Sequence, residues 1–249
     1  MNGPHTDLTI VAMIPARMGS ERLRMKNLAM IAGRPMISYA IEAARSSCVF
    51  AKVVVNSENV KFKTIADRHG VDFYLRPAAL GSSDTRSDDV VRDFMKHRPA
   101  DIVAWVNPTS PLQTGEEIKD VVDYFLKENL DTLITVKNEQ VHAVFDGKPV
   151  NFSPEGTFAK TQDLRPVQIC VYSVMMWRSK TFQAAYDRLG YAMLSGKVGY
   201  YPVGRLSAVI IKKDEDLLMA DWIVKGMNER KDRAIQYDDL ADVQGNSGG

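Results

Sequence analysis

The hydrophobic pattern opens with an apolar, β-branched run at residues 8–14 that stops at Pro15, as a buried strand does. Polar positions fill 16–27. Apolar residues then recur at Met36, Ile37, Ala40, Ile41 and Ala44, the spacing of one helix face, with Pro35 suited to the first turn. Residues 52–56 predict a second strand, 60–69 a helix closed by Gly70, and 71–75 a short third strand. Helical spacing returns at 87–97, a buried strand at 102–106, a helix at 118–126 and a strand at 132–136. Such alternation predicts an α/β fold: a mostly parallel sheet with helices on both faces.

The rhythm breaks after Lys137. Gly147, Pro149, Pro154 and Gly156 interrupt short apolar pieces across 142–166, the marks of hairpins or an irregular excursion. A strand at 168–176, a helix at 181–189, a strand at 198–203 and a last helix from about 214 to 228 follow, with a flexible tail expected at 246–249. No internal repeat or low-complexity linker divides the chain. The pattern gives one domain over 1–249, with an inserted excursion over about 138–167.

Composition mainly excludes. At 249 residues, 45% hydrophobic and 25% charged, the chain is not disordered, collagenous or a coiled coil, and it can bury a substantial core. Lys and Arg number 32 against 31 Asp and Glu, so no global field favours nucleic acid or an anionic membrane, and any anion site must be local. Two cysteines, Cys48 and Cys170, supply neither a metal cluster nor a disulfide framework and fit a reducing compartment. Residues 1–7 lack the features of a secretory signal, and no apolar stretch approaches the roughly 20 residues of a membrane span. A soluble, cytoplasmic protein is expected.

Candidate chemistry lies first in the loop after the opening strand, because open parallel sheets bind ligands outside the carboxyl ends of their strands. Residues 16–27 bring Arg17, Arg22, Arg24 and Lys26 together with small residues that let backbone N–H groups approach an anion. Four cations in so short a loop suit a triphosphate better than one carboxylate, although a solvated basic loop has the same composition. Neither the G-x-G-x-x-G dinucleotide signature nor the P-loop pattern is present.

The order of residues narrows this. Ile14-Pro15-Ala16-Arg17-x-Gly19-Ser20, Lys26-Asn27 and Ala32-Gly33-Arg34-Pro35-Met36-Ile37 resemble the opening of the sugar-activating cytidylyltransferases, which include the acylneuraminate (CMP-sialic acid) and CMP-Kdo synthetases. The resemblance continues at Leu75-Arg76-Pro77, Ser83-Asp84-Thr85, Asn107-Pro108-Thr109-Ser110-Pro111-Leu112 and Asp214-Glu215-Asp216-Leu217. It implies a three-layer nucleotide-diphospho-sugar transferase-like fold whose excursion serves dimerisation. In such enzymes an acidic sugar attacks the α-phosphate of CTP, releasing pyrophosphate and forming a CMP-sugar.

By resemblance, Ala16, Arg17, Ser20, Arg22 and Lys26 hold the triphosphate, and Asn27, Arg76 and Ser87 approach the cytidine. Acceptor contacts are expected from Asn107, Gln113, His142, Lys160, Arg165, Gln168 and Tyr172. Arg17 and Lys26 would stabilise the transferring phosphate, with Mg²⁺ arriving with CTP. Expected partners are CTP, a small acidic acceptor and a second copy of the chain, with no nucleic acid and no membrane.

Three departures stand against the family pattern. Ile210 and Lys212 occupy the positions of its metal-binding Asp-x-Asp pair, and isoleucine cannot ligate Mg²⁺. Lys212 is then a candidate cation in place of protein-bound metal, or a solvated residue before the last helix. Thr161 stands where the family has an arginine for the sugar carboxylate, leaving Lys160 or Arg165 to compensate. Gln168-Ile169-Cys170-Val171-Tyr172 replaces the usual Arg-Asn-Gly-Ala-Ile-Tyr strand, and Glu21 stands where lysine is common. These departures keep two alternatives open: another acceptor such as a phosphonate, or a non-catalytic nucleotide-binding homologue. Cys170 is expected as a buried strand residue, Trp105, Met175, Met176 and Trp177 as core or subunit contact rather than a ligand box, and Asp88 and Asp89 at a helix start.

Overall fold

A computed structural model describes residues 8–19 and 22–229. Ser20, Glu21 and the expected tail at 246–249 lie outside the described residues. Seven strands form the main sheet: β1 (Ile10–Pro15), β2 (Lys52–Ser57), β3 (Asp72–Leu75), β4 (Ile102–Val106), β5 (Thr132–Glu139), β6 (Val167–Arg178) and β7 (Val198–Pro202). Their order is β7-β5-β6-β4-β1-β2-β3, and only β6 runs antiparallel to its neighbours.

Strand alternation separates two apolar faces. Ile10, Ala12 and Ile14 face α1 (Met36–Ser46), α2 (Lys61–His69) and α4 (Gly115–Lys127), whereas Val11 and Met13 face α3 (Ser87–His97) and α5 (Ser179–Leu189). Gly70 closes α2 at φ 62°, the left-handed conformation that lets its N–H return to the last turn. Helix α4 begins a turn earlier than its apolar spacing predicts, because the Thr114 hydroxyl accepts the Glu117 N–H at 3.2 Å and caps it. The last helix, α6 (Asp214–Glu229), packs through Ala220 against Ile31, Met36 and Ile211, and Asp221 accepts the Ala32 N–H at 2.7 Å.

The excursion is a set of turns around one short hairpin, Val144–Phe145 with Lys148–Pro149. Asp146 and Gly147 both have positive φ, as a two-residue hairpin turn requires. Strands β5 and β6 also extend past the body of the sheet to carry this arm, so both are longer than their apolar runs. That extension overturns the core assignment of Cys170. Residues 167–170 pair only with β5, β4 joins β6 only from Val174 onward, and a register shift lies between Cys170 and Met175. Cys170 is therefore exposed, whereas Met175, Met176 and Trp177, inside the body, are buried.

Candidate active site

The carboxyl ends of β1, β3 and β4 surround a cavity of about 270 Å³. Ala16 and Arg17 enter it from the loop after β1, and Lys26 and Asn27 from the short 3-10 turn Lys26–Leu28. Ser82, Ser83, Thr85 and Ser87 form a hydroxyl-rich wall running into α3, and Asn107 and Thr109 close the end of β4. This wall offers small donors and acceptors, while the opposite side offers cations.

The cations crowd one another. Lys26 Nζ donates to the Ile211 carbonyl at 3.1 Å, holding residues 209–212 against the loop after β1. Burial first, then Arg22 and Arg17, lower the Lys26 ammonium below the usual lysine range; Lys212 acts in the same direction and Asp216 opposes it. Asn27 is buried; its Nδ2 donates to the Arg17 carbonyl at 3.4 Å and its Oδ1 has no protein partner.

With this geometry, a family model described as cytidylyltransferase matches residues 11–154, more than half of the chain. The chain belongs to the cytidylyltransferase family. It is 35% identical over 117 residues to N-acylneuraminate cytidylyltransferase of Escherichia coli O18:K1:H7, a match covering 47% of this chain and 28% of the relative. It is 30% identical over 121 residues to 3-deoxy-manno-octulosonate cytidylyltransferase of Bdellovibrio bacteriovorus, covering 49% of this chain and 47% of the relative. The chain thus spans less than half the length of either relative. A solved CMP:2-keto-3-deoxy-manno-octonic acid synthetase, complexed with CTP, shares the fold at a TM-score of 0.67 and 17% identity, over 88% of this chain and 99% of that one.

Among the residues singled out from the sequence, the family's cavity gathers Ala16, Arg17, Lys26, Asn27, Arg76, Ser87 and Asn107. Arg76 is buried in its floor, with both Nη atoms already donating to protein oxygens. Asn107 is equally engaged: Nδ2 donates to the Tyr172 carbonyl at 3.2 Å, and Oδ1 accepts from Thr109 N and Oγ1. Tyr172 is half exposed, with φ 57° at the irregular part of β6. Arg22 and Lys212 do not line the cavity and act on it through charge. Ser20 lies outside the described residues.

The expected acceptor residues are dispersed. Gln113 is buried with Nε2 toward Ser173 Oγ at 3.5 Å, beside a separate recess under α6. His142 stacks on Phe158 at 4.0 Å between ring centroids and meets Phe152 edge-on at 4.9 Å. Lys160 and Arg165 are exposed on the arm, and Gln168 donates to Asn138 Oδ1 at 3.1 Å. None of these five lines the cavity.

One cavity residue was misread and one residue beneath the cavity was missed. Trp105, expected as core or subunit contact, is only partly buried and lines the cavity, because β4 ends there and α3 covers only part of its ring. Glu58, beneath the cavity, carries no motif and is visible only once β2 and β3 are side by side.

A protein-bound divalent cation does not fit the residues at 210–216. Ile210 packs on the main core, Lys212 is a cation, and Asp216 Oδ2 already accepts the Lys212 and Lys213 N–H groups at 2.7 and 2.9 Å. Burial pushes Asp216 up, but those two amides and the two lysine charges outweigh it and hold the carboxyl below its usual range. It is a helix cap, as expected of an acid at a helix start. Asp88 and Asp89 stand in the first turn of α3 as expected but do not cap it: Asp88 accepts the Ala192 and Met193 N–H groups, and Asp89 pairs with Arg86 and Tyr186. Among the described residues no group of three or more His, Cys, Asp or Glu side chains could hold a metal.

Proposed function

We propose that this protein transfers CMP from CTP to an acidic sugar of the ulosonic acid class. The observation that carries the reading is the crowding of Arg17, Arg22 and Lys212 on Lys26, which lines a cavity at the ends of β1, β3 and β4. The acceptor hydroxyl oxygen bonds to the α-phosphorus as the bond from that phosphorus to the bridging oxygen breaks; pyrophosphate leaves with the electron pair, and the hydroxyl proton passes to solvent. Arg17 and Lys26 hold the polyphosphate in line and neutralise its developing charge, a preset electrostatic task. Lys212 adds charge at the same edge. Mg²⁺ arriving on CTP belongs to the nucleotide substrate, and no step runs through a metal held by the chain.

Acidic sugars are favoured because the matched relatives are named for N-acylneuraminate and 3-deoxy-manno-octulosonate. Two second readings rest on specific residues. Thr161 in place of an arginine favours a different acid, such as a phosphonate, and Ile210 with Lys212 favours a nucleotide-binding homologue without turnover. The exposed apolar arm supports a homodimer, and the absence of any helix long and apolar enough to cross a membrane among the described residues is compatible with a cytoplasmic site of action.

The test is pyrophosphate release from CTP with a panel of ulosonic acids and phosphonates, at varied Mg²⁺. Release with an ulosonic acid supports the proposal, and release with a phosphonate alone changes the acceptor. CTP binding without turnover under every condition selects the non-catalytic reading. If Lys212 carries charge for the reaction, Lys212→Ala loses rate at low Mg²⁺; equal rates and equal Mg²⁺ dependence remove it from the site.

A further inference from the structure

Beneath the cavity, one carboxylate ties together three strand ends. Glu58 Oε1 accepts the Met18 N–H of the loop after β1 at 2.8 Å. Glu58 Oε2 accepts from Arg76 Nη2 at 2.9 Å and from Ser57 Oγ at 3.4 Å. Arg76 in turn donates to the Ala16 carbonyl at 2.9 Å through Nη2 and to the Asn56 carbonyl at 2.8 Å through Nη1. The two side chains are 12% and 3% exposed. A buried pair of this kind is costly to break; both Nη atoms of Arg76 are satisfied, and its buried Nε has no protein partner. Gly81 belongs to the same arrangement, since a Cβ there would sit 2.5 Å from Glu58 Cγ.

The pair grips the chain on both sides of Arg17, at the Ala16 carbonyl and the Met18 amide. We infer that Glu58 is a positioning residue, acting with Arg76 to hold the loop in one preset geometry for the polyphosphate. This rests on the nucleotide reading above. Glu58 touches no reacting atom; its effect passes through the backbone that aims Arg17. A loop fixed before binding loses less freedom when the anion arrives.

The experiment compares wild type with Glu58→Gln, reading Met18 amide exchange without ligand and the affinities for CTP and cytidine by calorimetry. Expected are faster Met18 exchange and a CTP affinity lower by about tenfold, the scale of one hydrogen bond to a charged group, with cytidine affinity unchanged. Glu58→Asp recovers part of the loss. A merely structural role would lower CTP and cytidine affinity together, and that result, or unchanged Met18 exchange, overturns the inference. Should Glu58→Gln fail to fold by circular dichroism, Gly81→Ala, which crowds the carboxylate without removing it, is read in the same way. If wild type binds no CTP while Met18 exchange still accelerates in the variant, the anchoring of the loop stands and the nucleotide reading falls.

Discussion

The floor of the cavity and the arm are held in opposite ways. Arg76 and Asn27 are 4% and 6% exposed, and Arg76 is fixed by buried hydrogen bonds between strand ends, whereas Phe145 and Phe158 on the arm are 79% and 69% exposed. Val141, Val144 and Val150 join them, giving the arm an uncovered apolar surface of the kind that marks an interaction site. The residues expected to hold the nucleotide, Ser20 aside, therefore stand on or next to the packed body of the sheet. Of the residues expected to meet the acceptor, Asn107 and Gln113 lie in the body, while His142, Lys160, Arg165 and Gln168 lie on the arm or the strand extension that carries it.

The largest test of that contrast is stability. Trp177 is fully buried on β6, with its indole N–H donating to the Met193 carbonyl at 3.0 Å. Trp177→Ala should cost about 3–5 kcal/mol in denaturant unfolding, the range for emptying an aromatic site in a core. Phe145→Ala, measured at a dilution where the chain is monomeric, should change stability by no more than about 0.5 kcal/mol. Equal losses would show that the arm is packed as tightly as the sheet and would break the comparison.

Nucleotide affinity sharpens it next. Arg17→Ala or Lys26→Ala should weaken CTP binding by about 1.5–3 kcal/mol, as for hydrogen bonds to charged groups. Lys160→Ala and Arg165→Ala, on the arm, should leave CTP affinity within about 0.5 kcal/mol of wild type while raising KM for the acceptor. Calorimetry showing unchanged CTP affinity in both loop variants would remove the loop from the nucleotide site. Association comes third. Wild type should have a dimer mass by light scattering at micromolar concentration, through a symmetric contact burying more than about 1,000 Å². Phe145→Ser with Phe158→Ser should shift that mass toward the monomer without altering CTP affinity, and a monomeric wild type would refute the arm's role.

The same two regions differ in how much of them could be read from residues alone. Strands β1 to β4 and helices α1 to α3 lie within a residue or two of their apolar spacing, because each is covered by a sheet neighbour or a helix at its own period. The cations of the loop after β1 were legible because they are close in sequence. Glu58 was not, since a lone acid after a strand acquires meaning only when Arg76 and Met18 are brought beside it from other strand ends. Cys170 was misplaced because an apolar strand was taken as covered along its whole length, whereas its outer residues have one strand neighbour and no helix. The earlier start of α4 was written in Thr114 and Glu117, a capping pair that apolar spacing does not register. On the arm, Asp146-Gly147 marks its hairpin, but nothing in the order of residues says what covers Phe145 or Phe158.

The smallest expected effect separates the regions by proton linkage. The ordinary lysine value is 10.5, and in the folded chain Lys26 lies below it, through burial first and then Arg22 and Arg17. Between the folded value and 10.5 the unfolded chain holds more protons, so stability rises with pH across that window. Below the window the cost of keeping Lys26 charged is fully present. Lys26→Met removes the group, so the stability of wild type relative to this variant should climb as pH enters the window and level off above it. A polyphosphate beside Lys26 favours the ammonium and raises its pKa again. Binding of CTP should therefore take up a fraction of a proton in that window and weaken as pH rises through it. Calorimetry in buffers of different ionisation enthalpy counts that proton: uptake is expected for wild type and for Lys160→Met on the arm, and is lost in Lys26→Met. Equal uptake in wild type and Lys26→Met would assign the proton to another group and detach the crowded lysine from the anion it is proposed to hold.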